Sequence, residues 1–392
     1  MGLGQQLAFA AAIGRVTATV AGERVRGRRP ARPGDVPPTV DQLTTAWLTS
    51  ALCRDHPEAH VTAFELGSGS DGTSSRRAIS VTYDDAGVAA GLPTAIYSKS
   101  TPSLVNRLLI GVTGAAGAEA LFYDRIRPQL ELGAPAGYFG AWDPRTCRSM
   151  VLIEDIVATR GATFGNAATY VDRAGAESMV REMARYHGAL WEDPRLAGEW
   201  ALPDTHAWQR NFNDKTGFDR GAILALRFAR DEVPAELAAR KGEIRGALMR
   251  SLEINAAGPR TLLHQDVHPG NWFRLADGSL NLYDWQSCAM GNWALDVAYA
   301  LSAGLEVEDR RAWERELLAL YLEELAARGA PAPSFDDAWR AYRQQMLHGF
   351  IFWTYTLLVG KVNALQPEDH VRTLIRRTGQ AMVDLESLDA VA

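Results

Sequence analysis

Between residues 264 and 284 the chain runs His264-Gln265-Asp266-Val267-His268-Pro269-Gly270-Asn271, then Trp272, Phe273 and Leu275, a polar break at Ala276-Asp277-Gly278-Ser279, and Leu280, Leu282 and Tyr283 before Asp284. Two short apolar runs around an Asp-Gly turn predict a hairpin. That hairpin returns Asp284 to the side of Asn271 and so gathers two carboxylates and an amide. Each residue alone could cap a turn around Pro269-Gly270. In this order they meet the needs of phosphoryl transfer: a carboxylate near the attacking hydroxyl, and an Asn five residues later that helps hold Mg²⁺.

The rest of the chain has room for the other parts of such a site. It has 392 residues, 47% hydrophobic and 22% charged, enough for two lobes. A formal charge of -6 gives no footprint for nucleic acid. Cys53, Cys147 and Cys288 are widely spaced, which indicates neither a disulfide framework nor a zinc site and fits a reducing cytoplasm. The apolar stretch 7–13 follows no basic residue, is interrupted by Arg15 and is too short to span a membrane. Residues 1–40 are expected to form an extension with a solvated basic run at 24–29 and a Pro-rich linker at 30–38.

After an expected helix over 40–54, Val61-Thr62-Ala63-Phe64-Glu65-Leu66 predicts a strand entering Gly67-Ser68-Gly69-Ser70-Asp71-Gly72. The following Ala78-Ile79-Ser80-Val81-Thr82-Tyr83 alternates and is β-branched, so a second strand follows the glycines, not the helix that a dinucleotide fingerprint requires. Strand, glycine loop, strand suits a flap over nucleotide phosphates, with Gly67, Ser68, Gly69 and Gly72 as the candidate contacts. A third strand, 94–98, ends at Lys99, placed to reach phosphates. The helical run 115–126 supplies Glu119 to hold that lysine. Ile153, Glu154 and Asp155 end the apolar strand 150–156 and read as a hinge whose backbone recognises adenine.

Beyond residue 175 helical patterns dominate, over 176–191, 221–229, 234–254, 308–329, 336–358 and 368–388. His187 reads as a packed histidine, His264 as a partner of the loop backbone, and His268 as either scaffold or a phosphate neighbour. Asp296 is expected to steady a helix behind the site through backbone hydrogen bonds. The acidic and basic residues of 306–315 look like a solvated face. Phe350-Ile351-Phe352-Trp353-Thr354-Tyr355 reads as core or as an apolar wall of an acceptor pocket.

Taken together, the glycine loop, Lys99, Glu119-Ala120-Leu121-Phe122-Tyr123, the 151–156 hinge, His264-Gln265-Asp266 through Asn271, and Asp284-Trp285-Gln286 followed by Asp296 resemble the aminoglycoside phosphotransferase and choline kinase superfamily, in particular its ecdysteroid-kinase-like branch. The resemblance covers residues 60–300. It implies an α+β, bilobal protein-kinase-like fold: residues 41–155 as a small β-rich nucleotide-binding lobe and 156–392 as a larger, mostly helical lobe, with ATP between them. It also implies Asp266 as catalytic base, Asn271 and Asp284 as Mg²⁺ ligands, and Lys99 with Glu119 as the nucleotide-phosphate pair. Gln265 departs from the pattern, since the family most often has Gly there, and the glycine loop is richer in glycine than the branch usually shows. The implied reaction moves the γ-phosphoryl group of ATP to a small-molecule hydroxyl, with a sterol-like or amino alcohol favoured. An antibiotic phosphotransferase and an inert nucleotide-binding protein of the same fold are the alternatives. No Ala-Pro-Glu segment follows Asp284, which argues against a protein kinase, and nothing selects an oligomeric state.

Overall fold

The computed structural model describes residues 3–26, 34–72, 74–361 and 366–392. Two compact units divide the chain, Met1–Gly161 and Ala162–Ala392. The first is built on an antiparallel sheet of five strands in the order β1-β2-β3-β5-β4: β1 Val61–Asp71, β2 Ser75–Tyr83, β3 Ala95–Ser100, β4 Gly137–Asp143 and β5 Arg148–Glu154. Side chains alternate across a strand, so each strand feeds two layers. One face buries Ile79, Val81, Ile96, Phe139, Met150 and Leu152 against Trp47 and Leu48 of the helix Thr45–Leu52. Thr44 starts that helix by accepting the Trp47 N–H.

Lys99, Val151 and Gly140 stand in one row across β3, β5 and β4. They alternate with Ile96, Leu152 and Phe139 and so face the other way, toward the helix Ala115–Leu121. A Cβ on Gly140 would lie 2.2 Å from the Ala120 carbonyl oxygen. Glycine there lets strand and helix meet backbone to backbone.

Three expectations change in this unit. The strand expected over 61–66 continues to Asp71, because Gly69, Ser70 and Asp71 stay in register with Arg77, Arg76 and Ser75 after an irregularity between Leu66 and Gly69. A Cβ on Gly69 would sit 2.1 Å from the Arg76 carbonyl, so these glycines serve a bulged ribbon and not an open loop. The N-terminus is a helix, Leu3–Arg26, whose Val16 and Val20, one turn apart, are buried with Cys147; it is part of this unit and no solvated extension. Residues 27–33, which hold part of the expected basic run and linker, lie outside the described residues. Lastly, the unit ends at Gly161 instead of residue 155. Asp155 caps the short helix Ile156–Arg160, and Arg160 ties it back through Glu154 and the Gly133 carbonyl.

The second unit is mostly helical, with two small sheets: β6 Thr163–Phe164, β8 Trp272–Arg274 and β9 Leu280–Leu282 in one, β7 Thr261–Leu263 and β10 Ala289–Gly291 in the other. Its hub is the helix Ala294–Gly304, buried along its whole length. Helices Arg173–Ala189, Val307–Ala327, Leu347–Gly360 and Glu368–Asp384 pack around it. A helix over Thr205–Thr216 escaped the sequence reading because its apolar signal is little more than Trp208 and Phe212. The pattern over 336–358 splits into Phe335–Gln344 and Leu347–Gly360. The face expected to be solvated at 306–315 is partly internal: Arg310 is 1% exposed and paired with Glu314 and Asp384, and Glu306 pairs with the buried Arg377. No helix among the described residues is long and apolar enough to cross a membrane.

Gly140→Ala should force the helix that carries Glu119 off the sheet, at a cost of about 1–3 kcal/mol typical of overpacking. A urea melt reads this directly; an unchanged midpoint would show that the close approach is dispensable.

Candidate active site

In the first unit, Lys99 and Glu119 form a buried ion pair, Nζ to Oε1, with 5% and 3% of each residue exposed. Strand alternation aims the lysine at the helix and the helix presents Glu119 to it. Gly67, Ser68, Gly69 and Gly72 lie at the far end of the β1–β2 ribbon. At the expected hinge, Ile153 pairs with Tyr97 and Gly137 inside the sheet. The Glu154 N–H donates to Ala136 and the Asp155 N–H to Ala95, while both side chains bind within the unit, so these two amides are already engaged.

In the second unit, the expected hairpin forms. Trp272, Phe273 and Arg274 pair with Leu282, Asn281 and Leu280 around a turn in which Gly278 has φ +86. Tyr283 then closes it, its N–H donating to the Asn271 carbonyl at 3.1 Å and its hydroxyl to the Gly270 carbonyl at 2.7 Å. Asp284 is therefore held beside Asn271. It adopts φ +65, a conformation that costs an Asp less than a bulkier residue.

His264 joins the two carboxylate-bearing segments. Its Nδ1 accepts the Asp266 N–H at 3.2 Å, which puts the ring proton on Nε2, and Nε2 donates to the Tyr283 carbonyl at 2.9 Å. Asn271 gives its Nδ2 to the Asp266 carbonyl at 2.8 Å, leaving its oxygen as the end for a cation. His268 accepts the Gly270 N–H on Nδ1, so its Nε2–H is the edge 3.8 Å from Asp266 Oδ1. Burial pushes the His268 pKa down, against the pull of Asp266 and Asp284, so the ring is held neutral at ordinary pH.

Asp296 is the anchor of this loop. Fully buried in the first turn of the hub helix, it accepts the His264 N–H at 2.7 Å, the Gln265 N–H at 2.9 Å and the Tyr186 hydroxyl at 2.8 Å, with His187 Nε2 at 3.5 Å. Burial raises its pKa, but His187, His264 and the His264 N–H more than offset this and hold it below the usual carboxylate value. The helix N-terminus also favours the charge. Its role differs from the expected one: it steadies the loop, using its helix as the post. Gln265 sits between these contacts at φ +64, which explains mechanically why glycine suits this position.

Two residues complete the loop's support, Trp353 from the aromatic run and His348, which carried no sequence signal. His348 Nε2 bonds the Gln265 carbonyl at 3.0 Å, and Trp353 packs edge-on against His268 at 5.0 Å. Both come from the helix Leu347–Gly360, far along the chain, where a lone His in an apolar run gives no hint. The aromatic run divides by helical face. Phe350, Ile351, Trp353 and Thr354 are core, whereas half-buried Phe352 and Tyr355 meet Trp208, Phe212 and Phe218.

The donor set of Asn271 and Asp284, with Asp266 nearby, is all oxygen and suits Mg²⁺, which keeps several waters and binds through few protein ligands. Among the described residues, no group of three or more His, Cys, Asp and Glu side chains gathers as a metal cage.

Residues 158–343 match the family model described as "Phosphotransferase enzyme family". The choline kinase of Cryptosporidium parvum Iowa II has a similar structure, at TM-score 0.52 and 11% identity over 83% of this chain and 91% of that one. A Ralstonia eutropha JMP134 protein assigned as an aminoglycoside phosphotransferase gives 0.48 and 13% over 85% and 96%. The choline kinase of Streptococcus pneumoniae gives 0.44 and 12% over 86% and 98%. No curated protein matches the sequence. The similarity to the Cryptosporidium parvum choline kinase, at TM-score 0.52, shows a kinase-like fold, with a β-sheet N-terminal part and a mostly helical C-terminal part. The family match covers just under half of the chain, and nothing in it selects the ecdysteroid-kinase-like branch.

Two outcomes are expected. Asp296→Asn turns an acceptor of three hydrogen bonds into a group with a misplaced donor and should cost about 3 kcal/mol, with faster amide exchange at 264–266; native exchange there would remove the anchor role. Burial also pushes His187 and His348 below 6.5, opposed by Asp296 and by the Gln265 carbonyl. The unfolded chain protonates them first, so their contribution to stability is complete above about pH 6.5 and shrinks as pH falls toward the folded values, by up to about 1.4 kcal/mol per unit for each ring. The urea midpoint should therefore be lower at pH 5 than at pH 7.5, and His187→Phe should flatten that slope.

Proposed function

We propose that this protein is a phosphotransferase that moves the γ-phosphoryl group of ATP to the hydroxyl of a small apolar or amino alcohol. The observation that carries the reading is the His264 bridge, which holds Asp266 and Asp284 in one rigid frame through Asp266 N–H and the Tyr283 carbonyl. Phosphoryl transfer asks for this kind of part: groups fixed in position before the substrates arrive, with little covalent chemistry for the protein to do.

Each residue has one task in this reading. Asp266 orients the acceptor hydroxyl and takes its proton, and the neutral His268 beside it leaves that carboxylate free of a competing cation. Lys99, steadied by Glu119, offers its ammonium to the nucleotide phosphates. Asn271 and Asp284 would hold Mg²⁺, which supplies neutralisation of phosphate charge. The ecdysteroid-kinase-like branch, sterol-like acceptors and a cytoplasmic setting belong to the same proposal.

The aromatic face formed by Trp208, Phe212, Phe352 and Tyr355 favours this acceptor class. Trp208 and Phe212 stack at 5.2 Å, Phe212 and Phe352 lie nearly parallel at 6.0 Å, and Phe352 touches His348, which grips the catalytic loop. Half-buried stacked rings accept an apolar skeleton by burial and an ammonium through their faces. A polycationic antibiotic asks instead for a dense acidic surface.

An ATP-consumption screen over sterols, amino alcohols and aminoglycosides tests the reading. Asp266→Ala should lower turnover by about 10³-fold, within the range for loss of a general base, while nucleotide affinity stays near that of the parent. Equal turnover in the variant would sink the assignment. Phe352→Ala should raise the acceptor KM and leave that for ATP alone; consumption of ATP only with aminoglycosides would overturn the acceptor class.

A further inference from the structure

The N-terminal helix Leu3–Arg26 carries one acid that reaches into the first unit. Glu23 accepts two hydrogen bonds from Arg107, at 2.9 Å from Nη1 and 2.6 Å from Nη2, and a third from Arg148 Nε at 2.8 Å. The Arg107 residue is 0% exposed and the Glu23 side chain 13%. Burial pushes the Glu23 carboxyl up, but the two arginines more than offset it and hold the group below its usual pKa. It is the acid that this structure sets against Arg107.

Arg107 occupies a junction. Its Nε donates to the Thr101 carbonyl at 2.9 Å, just past the end of β3 and two residues beyond Lys99. The Thr101 hydroxyl in turn donates to the Cys147 carbonyl at 2.8 Å and accepts the Ser149 N–H at 2.9 Å, which locks β3 to the start of β5. In the other direction Arg107 follows the short helix Leu104–Asn106, which Ser103 caps, and begins the wider turn Arg107–Gly111 that leads, past Gly114 at φ +95, to the helix Ala115–Leu121 and Glu119. The two members of the buried Lys99–Glu119 pair thus lie on the chain segments before and after a single buried guanidinium. Where that guanidinium sits ties the strand end to the helical segment 104–111.

We propose that Glu23 is a positioning residue for the nucleotide-phosphate lysine, acting through Arg107 to set the Lys99–Glu119 pair. The N-terminal helix is then a strut of the nucleotide half of the site. Val16 and Val20 dock it, Arg15 Nε donates to the Arg145 carbonyl at 3.2 Å, and Glu23 supplies its contact with the buried Arg107. Without the carboxylate, Arg107 keeps its carbonyl partners but loses the paired, planar grip that fixes its orientation. The strand end and the helical segment then move independently, and the ammonium loses its register with the phosphates. This inference rests on the proposed role of Lys99 in ATP binding, though the mechanical coupling does not.

The test uses the full chain and the variants Glu23→Gln, Val16→Ala and Lys99→Met. Glu23→Gln keeps shape and removes charge; Val16→Ala weakens the docking of the same helix without touching Arg107. Glu23→Gln should raise the KM for ATP by about tenfold, with the acceptor KM and kcat within about twofold, a split that marks lost uniform binding of one substrate. Hydrogen exchange over 99–119 should quicken in the same variant. Val16→Ala should lower the melting temperature and leave the ATP KM near that of the parent, and Lys99→Met gives the limit of lost nucleotide contact. A folded Glu23→Gln protein with unchanged exchange over 99–119 overturns the proposal. So does an ATP KM that follows the melting temperature equally in Glu23→Gln and Val16→Ala, since that describes a merely structural helix. If the parent binds no ATP, the functional reading fails, and the exchange comparison still decides whether Glu23 positions the pair.

Discussion

A buried carboxylate that accepts two consecutive backbone N–H groups organises the second unit. Asp296 could not remain charged inside a helical core without its partners, because an unpaired buried charge costs several kcal/mol. The His264 and Gln265 N–H groups, the Tyr186 hydroxyl and His187 together supply what water would have given. The bond works in both directions. The loop satisfies the acid, and the acid pins the loop to the most buried helix of the unit. From there order passes outward: His264, held by its N–H, fixes Asp266 with one ring nitrogen and the Tyr283 carbonyl with the other. Asp266 and Asp284 inherit their positions from the buried Asp296.

The first unit uses a different device for the same end. Lys99 and Glu119 are both nearly inaccessible, and such a pair is worth having only when its geometry is set by the surroundings. Strand alternation turns the lysine to the helix side of the sheet, and Gly140 brings helix and strand within backbone contact. Farther out, Glu23 grips Arg107, whose Nε holds the Thr101 carbonyl just past the strand that carries Lys99. Rigidity comes here from close backbone approach and paired charge, whereas in the second unit it comes from hydrogen bonds to one acid.

Much of the local geometry was readable because it depends on short intervals. The hairpin from Trp272 to Leu282 could be drawn from two apolar runs and an Asp-Gly turn, and alternation around Ile79 and Val81 marked β2. Errors arose where distant residues intervened. The glycine run suggested a loop, yet pairing with Arg77, Arg76 and Ser75 carries the strand past Gly67 and Gly69 to Asp71. Residues 306–315 looked solvated by their mixed charge, yet Asp384 and Arg377, supplied by another helix, draw Arg310 and Glu306 into pairs. The N-terminal residues looked detachable because a two-valine stripe is a weak signal until the surface it covers is known.

By itself, then, the sequence determined the kinds of group available and their local order: a carboxylate, an amide and a second carboxylate around one hairpin, and a lysine at a strand end with a glutamate on the next helix. Local order suffices there because turns and strand alternation are governed by neighbouring residues. Only the tertiary structure decided which residues hold those groups still. Asp296, His348, Trp353 and Glu23 act across long stretches of chain, and their partners are chosen by burial, which removes water as the alternative and makes each remaining hydrogen bond obligatory.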